Sequence, residues 1–275
     1  MEALTFTIGH FRVRELLFGM FRLDGGAMFG SVPRPLWSKQ IPPDERGRIP
    51  LATRSIVVEV GDREFLVDVG IGEKMGEKER NIYAIENKPN PDQLVAPTDI
   101  ILTHLHFDHA GGISRWSEAD PSIIEPTWPQ ATIHIQHANV TTATTPNIKE
   151  RASYFRENVE TLSLAKTVLY HGTQEVYPGI FVHRVDGHTD GMQWVEVRSE
   201  GKMLLFPSDL IPTSSHLHPA YTMGYDMCAA KVLSEKLAFL SYAAAHEAIV
   251  VFQHDPMCPA LRIIERGGKF EGVSV

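Results

Sequence analysis

The chain has 275 residues, 43% hydrophobic and 22% charged, ordinary proportions for a globular protein long enough to bury a substantial core without disulfide staples. Its formal net charge of −8 comes without any Lys/Arg block, which argues against a nucleic-acid surface. No apolar run is long enough to span a membrane or form a leader, and Cys228 and Cys258 stand outside any C-x-x-C pair, so a cytoplasmic protein with reduced thiols is expected.

Residues 3–23 alternate apolar and polar side chains, predicting a hairpin that turns at Gly9 and His10. Residues 24–50 are rich in Gly and Pro and read as loop. A loop that long in a compact domain commonly covers or builds a site. The β-rich runs 54–60 and 64–69 flank Gly61 and Asp62, a hairpin signature, and Asp68 closes the second run. Residues 73–88 are polar and helical in part, with Pro89, Pro91 and Pro97 ending any helix. A short buried strand, 100–103, leads into His104, and a helix or turn follows Gly111 and Gly112. Further strands are predicted at 131–137, 179–186, 192–198, 202–206 and 248–252, with helices at 147–165 and 226–246. In the last helix Val232, Leu233, Leu237 and Leu240 fall on one face and are expected in the core. The whole, residues 1–275, reads as one domain, with residues 1–50 an extension packed on it.

Four of these strands stop at polar residues. Strand 100–103 enters His104-Leu105-His106-Phe107-Asp108-His109, 179–186 precedes His188, 202–206 precedes Asp209, and 248–252 precedes His254. Strand ends converge on one edge of a sheet, which gathers side chains distant in sequence. At a strand end, residues i and i+2 point the same way, so His104 and His106 can grip one ion together. As the chain turns toward Gly111, Asp108 and His109 can swing to a second position. Four such side chains behind a buried strand are costly to hide unpaired. Imidazole and carboxylate suit zinc, and also manganese, iron or cobalt.

The H-x-H-x-D-H run, followed by Gly187-His188, Ser208-Asp209 and a strand-ending His254, resembles the metallo-β-lactamase superfamily. The resemblance implies an α/β fold, the αββα sandwich of two mixed sheets flanked by helices. It implies two divalent metal ions, zinc foremost: His104, His106 and His188 on the first, Asp108, His109 and His254 on the second, Asp209 bridging them, and Asp68 orienting a ligand. It implies a hydrolase in which metal-bound hydroxide attacks a lactone or other ester carbonyl, with Asp108 as the catalytic carboxylate. Within the superfamily the chain looks most like the N-acyl homoserine lactonase and methyl parathion hydrolase branch. The long segment before His104, the stretch from Asp24 through Met28 and Phe29 to Trp37, and the stretch from His218 through Tyr221 to Tyr225 and Asp226 carry that likeness. Homoserine lactonases place a Tyr three residues after the bridging Asp, where this chain has Pro212, and Tyr221 or Tyr225 would have to reach in instead. Met28, Phe29 and Trp37 would wall the substrate pocket, and His216 and His218 would line it. A small-molecule substrate is implied, with neither nucleic acid nor membrane as partner. Relatives of the branch are often dimers, so a homodimer is among the expectations.

Two other activities fit parts of this pattern. A phosphotriester or phosphodiester hydrolase would share the metal site. An iron-dependent oxidoreductase of the same fold would, in its diiron form, carry Glu where His106 stands.

Overall fold

Alternation and burial together set the layers. In the run Ile56-Val57-Val58, consecutive side chains point to opposite faces, yet all three are at most 1% exposed. A strand covered on both faces must lie between other layers. The structure, a computed structural model, describes residues 4–87 and 97–275. It places Ile56 and Val58 between two sheets, and Val57 between a sheet and outer helices.

The first sheet runs in the order Thr5–Ile8, Phe11–Asp24, Arg48–Val60, Arg63–Val67, Asp99–Ile101, Thr132–Gln136, Lys166–Tyr170, with Glu86–Asn87 pairing separately on Phe11–Asp24. Its first three pairings are antiparallel and the rest of the path is parallel. The second sheet runs Gln174–Tyr177, Ile180–Val185, Met192–Ser199, Lys202–Phe206, Ile249–Val251, Ala260–Arg266, Lys269–Val273. Only Lys202–Phe206 and Ile249–Val251 pair in parallel there. Phe11, Phe65 and Val67 meet Val182, Val195 and Phe206 in the space between the sheets. Helix Ala229–Ala245 covers the outer face of the second sheet through Val232, Phe239, Leu240 and Ala243. Helices His137–Thr144 and Arg156–Leu164 cover the first through Ala143 and Leu162. The order helix, sheet, sheet, helix is the sandwich expected.

The predicted hairpins at Gly9 and at Gly61 are both present. The 24–50 segment is more ordered than a plain loop: it holds helical turns at Gly25–Phe29 and Arg34–Trp37, and strand Arg48–Val60 begins inside it. The helix expected over 147–165 is confined to Arg156–Leu164. Residues 148–153 before it form turns, and the chain then extends at Tyr154, where His106 and Tyr154 form an antiparallel bridge and Phe107 N donates to Ser153 O at 2.9 Å. Helix 226–246 is found as Ala229–Ala245, but Leu233 and Leu237 are 39% and 40% exposed. The inward stripe is Val232, Lys236, Phe239, Leu240 and Ala243, rotated from the one the apolar letters suggested. The break expected at Pro89 and Pro91 lies outside the described residues. Cys228 and Cys258 are free thiols, and among the described residues no helix is long and apolar enough to cross a membrane.

Strands Arg63–Val67 and Asp99–Ile101 of the first sheet, and Lys202–Phe206 and Ile249–Val251 of the second, end at the same edge of the sandwich. Their carboxyl ends deliver Asp68, the histidine run, Asp209 and His254. Crevices beyond the carboxyl ends of parallel strands are where such sheets place ligands.

Candidate metal centre

Two residues that leave their strands do so in a conformation side chains avoid. Asp68 and Ser208 have φ of 56° and 52°, left-handed values that persist only where the surroundings over-determine them. Asp68 is fully buried. One carboxylate oxygen accepts from Thr103 N at 2.7 Å; the other accepts from Thr103 Oγ at 2.8 Å and pairs with His109 Nδ1 at 2.9 Å. With Nδ1 tied down, the Nε2 atom of His109 faces inward, 3.2 Å from His254 Nε2 and 3.5 Å from an Asp209 oxygen. Burial alone would push His109 toward the neutral form, but Asp209, Asp108 and the bond to Asp68 outweigh it and raise its pKa well above the ordinary value.

The other histidines are tethered in the same manner. His188 Nδ1 is held by Asp226 at 2.9 Å, and Asp226 is itself fixed by Met223 N at 2.7 Å. His254 Nδ1 donates to Ala52 O at 2.7 Å. His104 Nδ1 lies 3.1 Å from Thr103 Oγ. Carboxylates and carbonyls on the outer nitrogen fix a ligand's ring and tautomer. Burial, then the neighbouring imidazoles, depress the pKa of His104 and His106 well below the ordinary value, which keeps both in the neutral form that a metal requires.

What remains unpaired is informative. His104 Nε2, His106 Nε2 and Asp209 Oδ1 are buried without a hydrogen-bond partner, and such groups cost free energy unless something satisfies them. Ligand atoms of His104, His106, His188 and Asp209 lie within 4.8 Å of one another, and so do those of Asp108, His109 and His254. Asp209 spans the two groups: one oxygen is 3.1 Å from His188 Nε2, the other 3.1 Å from His254 Nε2. Burial would raise its pKa, but His109, His188 and His254 hold it well below the usual carboxylate range, so it is ionised. Imidazoles and carboxylates in two adjoining sets, with buried atoms left unpaired among them, fit a pair of divalent ions. All seven residues singled out from the sequence are gathered here.

The centre floors a cavity of about 300 Å³. Leu23, Met28, Leu51 and Met223 give it an apolar wall, and Tyr83, Tyr225, Lys149 and Glu150 add polar groups. Of the residues expected to contact substrate, Met28 and Tyr225 line this space. Phe29, Trp37 and His216 are buried behind the wall, with Phe29 stacked 5.6 Å from Trp37 and 4.8 Å from His216. His216 joins Thr213 Oγ at 2.7 Å to Met28 O at 2.9 Å, which holds Met28 in place. Burial, then the nearby Lys236 charge, lowers its pKa to about 3. His218 is exposed and stacks loosely on Tyr221, and neither lines the cavity. Sequence reasoning missed Tyr83, Lys149, Glu150 and the role of Asp226, none of which carries a local motif.

Asp68→Asn tests the tethering of His109 directly. Asn accepts a left-handed φ readily, so the change removes charge and little else. Zinc affinity, measured by competition with a chelator, is expected to fall about 10–100-fold. Unchanged affinity would mean that packing alone aims His109.

The four-layer sandwich carries at its strand ends two adjoining His/Asp groups, each able to hold a metal ion. The chain belongs to the Metallo-beta-lactamase superfamily, whose sequence profile matches residues 48–254. It is 27% identical over 164 residues to N-acyl homoserine lactonase AttM of Rhizobium radiobacter, a match spanning 57% of each chain. It is 30% identical over 135 residues to N-acyl homoserine lactonase AiiA of Bacillus thuringiensis subsp. kurstaki, spanning 48% of this chain and 45% of that one. The chain thus spans about half the length of these curated relatives. Among solved structures, a probable metal-dependent hydrolase from Staphylococcus aureus superposes with a TM-score of 0.88 at 26% identity, covering 98% of this chain and 99% of that one. AidC, a dizinc quorum-quenching lactonase, superposes at 0.78 with 19% identity, covering 99% and 97%, a likeness of fold.

Proposed function

We propose that the protein is a dinuclear metal-dependent hydrolase that opens a lactone or a related carboxylic ester. The observation that carries this reading is the carboxylate of Asp209, which spans two complete ligand sets at the floor of a cavity with an apolar wall. A volume of about 300 Å³ suits a small molecule with a short hydrocarbon portion. The names of AttM and AiiA, and the dizinc centre of AidC, support the lactone and zinc.

Divalent ions bound here supply Lewis acidity and bring the pKa of water down to about 7. The protein's own groups do the rest. Asp209, held ionised, fixes the distance between the two ligand sets. Asp68 and Asp226 aim His109 and His188. The carboxylate of Asp108 lines the cavity and accepts no hydrogen bond from any described residue, so it is free to take a proton and pass it to the leaving oxygen. The apolar wall holds the acyl portion and keeps bulk water off the floor.

The test is turnover by zinc- or manganese-loaded protein across lactones, aryl esters, thioesters and phosphotriesters. Faster turnover of lactones or carboxylic esters than of the other classes is expected. Cleavage confined to phosphotriesters would overturn the ester reading and leave the metal site in place.

A further inference from the structure

Five imidazoles belong to the metal centre, and four of them are held from behind through Nδ1: His109 by Asp68, His188 by Asp226, His254 by Ala52 O and His104 by Thr103 Oγ. His106 is turned the other way round. Its Nδ1 lies 3.2 Å from His188 Nε2, so Nδ1 faces the ligand set and Nε2 is the outer nitrogen. That outer nitrogen is buried and has no hydrogen-bond partner among the described residues. Outside the ligand set, the aromatic ring against His106 is that of Tyr154. The two centroids are 4.7 Å apart with the planes at 63°, an edge-to-face contact. The antiparallel bridge between His106 and Tyr154 sets their side chains directly opposite each other on one face of the pairing.

Tyr154 is itself buried and fixed at both ends. Its backbone is pinned by the bridge, and its hydroxyl sits between Thr189 Oγ at 2.7 Å and Asn139 Nδ2 at 3.3 Å. The direction of these bonds follows from the next link. Thr189 Oγ donates to the Glu150 carboxylate at 2.8 Å, so it accepts from Tyr154, and Tyr154 accepts from Asn139. The Oδ1 atom of Asn139 accepts from Leu105 N at 2.9 Å. Thr189 follows His188, and Leu105 lies between His104 and His106, so one phenol ties together the two segments that supply the histidines of the first ligand set. The face of an aromatic ring is negative, and an N–H directed at it makes a weak hydrogen bond. We propose that Tyr154 is the positioning residue of His106, its ring taking the outer Nε2–H in place of the oxygen acceptors given to the other four histidines. Holding the proton on Nε2 leaves Nδ1 free for a metal ion. The proposal rests on the dinuclear metal reading above.

The experiment is NMR of zinc-loaded protein with isotope-labelled histidine side chains, in wild type, Tyr154→Phe and Tyr154→Leu. Couplings from the carbon-bound ring protons show which nitrogen of each imidazole carries the metal and which the proton. One ligand imidazole is expected to bear its proton on Nε2. That proton should resonate upfield of the Nδ1 protons of the other four, because it lies over a ring face and not against an oxygen. Tyr154→Phe keeps the face and should keep the signal upfield. Tyr154→Leu keeps much of the bulk but loses the face, so the signal should move downfield. Zinc affinity, read by competition with a chelator, should fall about tenfold in Tyr154→Leu and much less in Tyr154→Phe. A ligand set with no imidazole protonated on Nε2, or an Nε2 proton that keeps its position in Tyr154→Leu, would overturn the proposal. Should Tyr154→Leu not fold, wild type alone decides, since an Nε2 proton at or downfield of the other four marks an oxygen acceptor and excludes the ring. If wild type binds no zinc, the metal-centre reading fails and takes the proposal with it, whereas bound zinc with the wrong proton position sinks the proposal alone.

Discussion

Asp209→Ala is expected to empty the centre and abolish turnover together. The wild-type carboxylate faces His188 with one oxygen and His254 with the other, each at 3.1 Å, so neither ligand set is complete without it. It is also the anion around which the histidines are organised, and it raises the pKa of both His109 and His188 against the effect of burial. Elemental analysis should find fewer than two ions per chain, and turnover should fall on the order of 10³-fold, since losing one well-placed electrostatic group alone costs 10²–10³. Removing metal from wild type with a chelator should lower its melting temperature, because ions bound only to the folded state stabilise it by mass action. In the variant the chelator should have much less effect. Asp209→Asn, which keeps the volume, separates loss of charge from loss of packing. Two ions per chain with full turnover in either variant would remove Asp209 from the centre.

The seven residues of that centre were legible to different depths. His104, His106, Asp108 and His109 form a local pattern whose physics can be read directly: a buried apolar strand would not end in four polar side chains without something to bind. His188, Asp209 and His254 came from the recognition that several strands stop at polar residues, together with the family resemblance that orders them. Asp226 could not be found in this way. Its function is to hold the outer nitrogen of His188 across 38 positions of sequence, and an isolated Asp in a loop shows no trace of that. Tyr83 was equally hidden, because a polar helix near a Pro-rich stretch gives no hint that its last residue faces a cavity.

Two departures from the local pattern share one cause, tertiary packing that overrides it. Helix propensity over 147–155 yields only turns at 148–153, because the bridge between His106 and Tyr154 takes the chain out of helix before Arg156. In helix Ala229–Ala245 the apolar letters placed Leu233 and Leu237 inward, while the fold buries Lys236. That lysine donates to Tyr221 O, and burial, partly offset by Asp226, brings its pKa to about 8. A periodicity argument assigns every lysine to solvent. Here one supports the loop that carries Met223 and Tyr225 into the cavity wall. Strands Gln174–Tyr177 and Ala260–Arg266 went unassigned although the second is followed by Gly267 and Gly268, both at positive φ, the glycine pair that a tight hairpin turn favours.

Asp108→Asn should separate the two tasks assigned to that residue. One Asp108 oxygen lies 3.8 Å from His109 Nε2 and 3.7 Å from His254 Nε2, close enough to complete the second ligand set. The same carboxylate opens on the cavity, where the leaving oxygen of an ester would need a proton. Asn keeps an oxygen for coordination but cannot carry a proton at any ordinary pH. Zinc content should therefore stay near that of wild type while kcat falls by about 10²–10⁴, the range contributed by a positioned general acid or base. The size of the fall should depend on the leaving group. An opened lactone leaves an alkoxide, a strong base that must be protonated as it departs, whereas nitrophenolate departs without help. The loss should accordingly be large on lactones and much smaller on nitrophenyl esters. Equal losses on both would mean that Asp108 acts only as a ligand and that another group delivers the proton. The nearest alternatives on the cavity wall would then be Glu150, whose carboxylate accepts from Thr189 Oγ at 2.8 Å, and the phenols of Tyr83 and Tyr225. Repeating the leaving-group comparison in Glu150→Gln would decide between them.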